Sequence, residues 1–164
     1  MSAFLRLFVA GLSLALFVGC QSSQEKPAPA APATPAAKSL YERLGGEAAI
    51  KAVVDDFVAR AAGNPAVNFT RKGNIREWNA SAENVATLKT RLVDLIGQLT
   101  GGPQKYLGRD MKSAHAGMKI TNAEFAALAG DLAASLDKFK VPAKEKAELM
   151  AIVASTQKDV VEVP

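Results

Sequence analysis

Four stretches of this chain place apolar residues at helical spacing, and each is bounded by glycine, proline or a capping residue. Ala49, Ile50, Val53, Val54, Phe57 and Val58 form the first stripe, opened by Gly45-Gly46 and closed by Gly63-Asn64-Pro65. Val85, Leu88, Leu92, Leu95, Ile96 and Leu99 form the second, with Ser81 as N-cap and Gly101-Gly102-Pro103 as its stop. Thr121 and Glu124 make a capping box that opens a third helix, with Phe125, Leu128, Leu132, Leu136 and Phe139 inward. Pro142 suits the first turn of a fourth, whose inward residues are Leu149, Ile152, Val153 and Val160. No strand alternation and no internal repeat occurs after Ser39, so the spacing predicts an all-α domain over residues 39–164. Residues 64–80 read as a long polar connection, and Asp110 to Gly117 as a short segment between the second and third helices.

The first 38 residues obey different rules. An apolar run from Leu7 to Val18 follows Arg6; it is too short for an ordinary spanning helix and fits a signal peptide over residues 1–19. Phe17-Val18-Gly19-Cys20 resembles the bacterial lipobox, which implies a lipid on Cys20 and an anchor in the cell envelope. Gln21 rather than Asp after that Cys resembles the sorting pattern of an outer-membrane lipoprotein facing the periplasm. In residues 20–38, four prolines among alanines can neither sustain a helix nor pack a core, and predict an extended tether. Cleavage before Cys20 would remove one base and no acid, taking the net charge from +4 to +3. That small excess and the export signal argue against nucleic acid as a partner. Neither Arg71-Lys72…Arg76 nor Lys138…Lys146 carries the interleaved aromatics that stack on bases.

With one Cys and one His, the chain has neither a disulfide framework nor a clustered Cys/His zinc site. The single imidazole is therefore the chemical question. On a helix, Met111 and Met118 share the face of His115, with the slim Ala114 and Ala116 beside it. A lone His is a poor site for a bare metal ion, which needs several protein ligands. Haem is different, because the porphyrin contributes four nitrogens and one protein ligand completes the site. Spacing alone also permits an ordinary surface or core histidine.

An ordered set of short motifs then narrows the choice. Leu40-Tyr41-Glu42-Arg43-Leu44-Gly45-Gly46 is followed by Val53-Val54-Asp55-Asp56-Phe57, Gly101-Gly102-Pro103, Tyr106, Gly108, Met111, His115, Ile120-Thr121 and Phe125. Residues 40–160 thereby resemble a truncated haemoglobin of group I. The resemblance implies a two-over-two globin helical sandwich holding haem b (iron protoporphyrin IX), with His115 as the proximal iron ligand. It also implies that Tyr106, Met111, Met118, Ile120 and Phe125 line the proximal edge. Phe69 matches an aromatic that packs on the haem, and Arg91 a basic position that pairs with a propionate.

The distal side departs from that family. Phe57 is followed by Val58 where a Tyr is usual, and two positions that commonly include a Gln are Leu88 and Leu92. An aliphatic wall implies weak O2 retention relative to CO and NO, unless Asn68 or Trp78 from the long connection supplies a donor. The expected function is reversible binding of O2, CO or NO by a membrane-tethered haem protein. Haem-based electron transfer, with no redox partner indicated, is an alternative, and a haem-free helical adaptor lipoprotein is another. NO dioxygenation and weak peroxidase activity are open as enzymatic roles, though no general base is evident for the latter.

Overall fold

A computed structural model describes residues 37–164; the signal peptide, Cys20 and most of the tether of the sequence analysis lie outside the described residues. The described chain forms seven helices: α1 (Leu40–Arg43), α2 (Gly46–Gly63), α3 (Ala82–Leu99), α4 (Met111–His115), α5 (Asn122–Lys138), α6 (Ala143–Ser155) and α7 (Gln157–Val160). The only β feature among these residues is an isolated bridge between Thr121 and Val163.

Local chemistry explains where the helices start and stop. The Ser39 hydroxyl accepts from the Glu42 N–H while the Glu42 carboxylate accepts from the Ser39 N–H, and Thr121 with Glu124 repeats that reciprocal arrangement at α5. The Ser81 hydroxyl takes up the Asn84 N–H at the head of α3. At the other end of α3, Gly101 has φ +85°, the Gly102 N–H donates to the Gly97 carbonyl and the Gly101 N–H to that of Gln98. A side chain at position 102 would run into the Tyr41 ring 2.5 Å away, so the Gly-Gly pair lets α1 dock on the end of α3. There the Tyr41 N–H donates to the Thr100 carbonyl and its hydroxyl accepts from Gln104 Nε2.

The central element is α2, which packs against both α3 and α5. It buries Ile50, Val53, Val54, Phe57, Val58 and Ala61 against Val93 and Ile96 of α3, Leu132 and Leu136 of α5, and Leu149 of α6. At about 1.5–3 kcal/mol for each large aliphatic side chain fully withdrawn from water, this cluster is the main driving force of the domain. Polar ties sit on its rim. The Asp56 carboxylate of α2 receives hydrogen bonds from Lys138, from Arg60 Nε at 2.7 Å and from the fully buried Ser135 hydroxyl at 2.9 Å, and these hold its pKa far below the usual range. Arg43 joins α1 to α6 through Glu145 and Glu148.

The structure departs from the periodicity at three places. Leu99 is 45% exposed because it lies off the side of the last turn of α3 that buries Ile96, Gly97 and Thr100. Phe139 is 41% exposed: it caps α5 rather than continuing its inward stripe, and the Lys138 ammonium stands 5.6 Å from its ring centre. Pro142 is the N-cap of α6 instead of a first-turn residue, and Val160 belongs to α7, after a break at Thr156. Val160 is nevertheless buried. We expect Leu136→Ala to cost about 2–5 kcal/mol in denaturant unfolding, as a cavity in a closed core does. Leu99→Ala should cost less than about 1 kcal/mol in the same experiment.

Candidate functional site

Between α2, α3, the 64–80 connection, the loop ahead of α4, and α5 lies a cavity of about 560 Å³, within the ~300–1,000 Å³ typical of small-molecule sites. Every residue that the sequence nominated for the site lines it. Phe57 and Val58 come from α2; Leu88, Arg91 and Leu92 from α3; Phe69 from the connection. Tyr106, Met111, His115, Met118, Ile120 and Phe125 close the opposite side. Leu88 and Leu92 share a face of α3 because they are four residues apart, and the second stripe thus serves both as core and as cavity wall.

His115 ends α4, a five-residue helix whose N-cap, Asp110, accepts the Ser113 N–H at 2.9 Å. That bond, foremost among several, holds the Asp110 carboxyl below its usual pKa. His115 Nδ1 lies 2.7 Å from the Met111 carbonyl oxygen. A carbonyl can only accept, so Nδ1 carries the proton. In the neutral ring Nε2 is then left with a lone pair, and no partner for it occurs among the described residues. A ring oriented by a backbone carbonyl, with the far nitrogen free, is the state in which a histidine ligates a metal. Among the described residues no group of three or more His, Cys, Asp or Glu side chains could hold a bare metal ion.

The turn after His115 is tied from both sides. Glu162 accepts the Gly117 and Lys119 N–H groups, which pull its carboxyl below the usual pKa. Arg71 donates to the carbonyls of Met118 and Lys119 and pairs with Glu124. Desolvation by burial works to raise the Glu124 pKa, but the bonds from Thr121 and Arg71 outweigh it and the net shift is downward.

Some residues escaped the sequence reading. Asn84 and Thr87 line the cavity one turn before Leu88 and Arg91, and Leu95 one turn after; continuing the α3 stripe in both directions would have found them. Arg71 is only 8% exposed and lines the cavity, yet nothing in its polar neighbourhood signals burial. Asn68 and Trp78, named as possible donors, both reach the cavity. Trp78 packs edge-on against Phe69, with ring centres 5.3 Å apart. The Asn68 carbonyl oxygen accepts from the Lys72 N–H, and no partner for its amide NH2 appears among the described residues.

The donor set fits haem. His115 lines a cavity walled mainly by aliphatic and aromatic groups, with its Nδ1 committed to a carbonyl, while Arg91 and Arg109 stand exposed on the lining, free of ion pairs among the described residues and suited to carboxylates. A helical sandwich around such a cavity defines a haem-binding globin. The chain matches the family model described as bacterial-like globin over residues 39–162, and it belongs to that family. It is 32% identical over 122 residues to a group 1 truncated hemoglobin of Tetrahymena pyriformis, covering 74% of this chain and 93% of the relative. The crystal structure of the Fe(III) form of truncated hemoglobin from that organism superposes with a TM-score of 0.65 at 30% identity, covering 76% of this chain and 98% of the other. The 2/2 hemoglobin of Synechococcus sp. PCC 7002, in the cyanomet state with covalently attached heme, gives the same TM-score and coverage at 29% identity. The fold is the two-over-two globin sandwich, and family and neighbours imply haem b as the cofactor. A haem-free adaptor role is thereby set aside.

Proposed function

We propose that this protein binds diatomic gases reversibly, with His115 Nε2 as the axial protein ligand of haem b. The observation that carries the reading is the 2.7 Å bond from His115 Nδ1 to the Met111 carbonyl, which commits one ring nitrogen and frees the other toward the cavity. When bound, haem supplies an iron with an open coordination position for O2, CO or NO. His115 orients that iron, and Phe57, Phe125 and Met118 exclude water from its surroundings. Arg91 and Arg109 are placed to take the propionates.

Val58, Leu88 and Leu92 bring no hydrogen-bond donor to the cavity. A donor to O2 in a dry pocket stabilises it by about 1–3 kcal/mol. Its absence speeds O2 release by roughly ten- to a hundredfold. CO and NO carry less charge and lose less.

The tether deepens the reading. We place the globin domain in the bacterial cell envelope, held by a lipid on Cys20, from the lipobox-like run at Phe17–Cys20 and the Pro/Ala-rich segment after it. No helix among the described residues is long and apolar enough to cross a membrane.

Three outcomes follow. His115→Ala should abolish the histidine-ligated absorption spectrum in ferric, ferrous and CO-bound states; an unchanged spectrum overturns the assignment. Leu88→Gln should slow O2 dissociation by roughly ten- to a hundredfold in flash photolysis while changing CO release far less. An O2 dissociation rate that does not move would mean that Asn68 or Trp78 already donates. Cys20→Ala should shift the protein from the membrane to the soluble fraction and remove its labelling by a fatty-acid probe.

A further inference from the structure

The turn that follows His115 is held by side chains from two distant parts of the chain. Glu162 takes the Gly117 N–H on Oε1 at 2.7 Å and the Lys119 N–H on Oε2 at 2.6 Å, across 45 and 43 residues. Its own N–H and that of Val163 donate to the Ile120 carbonyl, so the C-terminal segment lies along the turn. From the other side, the Met118 carbonyl accepts Arg71 Nη2 at 2.7 Å and Asn74 Nδ2 at 2.9 Å, across 47 and 44 residues. The turn is linked directly to the histidine, because the Met118 N–H donates to the His115 carbonyl at 3.0 Å.

This arrangement is costly. The Arg71 guanidinium is buried, and its Nε has no partner. Arg71 and Lys119 both adopt left-handed backbone, at φ +55° and +52°, which side chains other than glycine disfavour. A left-handed residue within the turn and an orphaned donor on one of its clamps, both beside one side chain, point to a task at that side chain rather than to stability alone.

We propose that Arg71 and Glu162 are positioning residues that fix the 117–120 turn and, through it, the tilt of the His115 imidazole. The inference rests on His115 being the iron ligand. Each clamps opposite polar groups of the same turn: Glu162 takes its N–H groups and Arg71 its carbonyls. Neither is replaceable by the other, and loss of either lets the turn and the ring rotate.

Glu162→Gln is the cleanest probe, since the site is exposed and the side chain keeps its length. An amide keeps one accepting oxygen and replaces the other with a donating NH2, so it cannot offer an acceptor at both of the positions that Oε1 and Oε2 occupy. Amide exchange at Gly117 and Lys119 should accelerate by roughly ten- to a hundredfold, as loss of a charge-assisted bond allows. In the ferrous haem-loaded protein the iron–histidine stretching band should shift or broaden, and the CO recombination rate should change with it. Arg71→Lys should act in the same direction, because a compact ammonium cannot span Glu124 and the turn carbonyls together. Asp159→Asn, a charge change on the same tail whose carboxylate makes no hydrogen bond among the described residues, should leave both readouts at wild type. Unaltered exchange in Glu162→Gln, or faster exchange with an unmoved iron–histidine band in both variants, overturns the proposal. Absence of that band from the wild type would overturn the ligand assignment itself and the proposal with it.

Discussion

An imidazole whose Nδ1 proton is given to a carbonyl four residues back has one nitrogen left, and the rest of this structure decides what that nitrogen meets. The Met111–His115 helix is too short to be stable alone. It owes its place to the Asp110 cap, to the tied turn behind it, and to contacts with α7. The proposed reading requires a ring held in one orientation, and a helix of little more than one turn can provide that only when its surroundings restrain it.

The cavity follows from how the long helices are divided. One side of α2 is sealed by Val53, Val54 and Ala61 against α3 and α5, and there the packing is closed. Phe57 and Val58 lie at the edge of that core and face the cavity as well. The same aliphatic side chains therefore stabilise the fold and wall the site. That dual use explains why the wall can be stripped of polar groups without harm to the fold: Val58, Leu88 and Leu92 are good core residues whatever they do for a ligand. In the proposed reading, selectivity among gases follows from what these three residues omit.

Polar groups are placed at the borders instead. Arg91 and Arg109 stay exposed on the cavity lining, where solvation keeps their charge inexpensive. Arg71 is the exception, buried and paired with Glu124, with Nη2 on backbone carbonyls and Nε without a partner among the described residues. Asn68, Trp78 and Thr87 bring the remaining donors to the lining, from the connection and from α3.

Much of this was legible in the sequence because it rests on short-range rules. Helical period, glycine stops and capping boxes act within a few residues, so the bounds of α2, α3 and α5 could be read directly. His115 stood out because it has no competitor of its kind, and Met111 and Met118 are its neighbours by helical geometry. The periodicity failed at Leu99, which lies off the buried side of its turn, and at Phe139, which caps α5 instead of extending it. The clamp on the 117–120 turn left no trace in the sequence. Arg71 and Asn74 sit among other polar residues and Glu162 between two valines, and nothing local distinguishes a solvated charge from one that reaches over forty positions to a backbone group. The sequence by itself determined the helices, their inward faces and the single histidine on which the proposed reading depends. Only the tertiary structure decided which polar side chains would meet that residue's backbone, because those bonds depend on where distant segments come to rest.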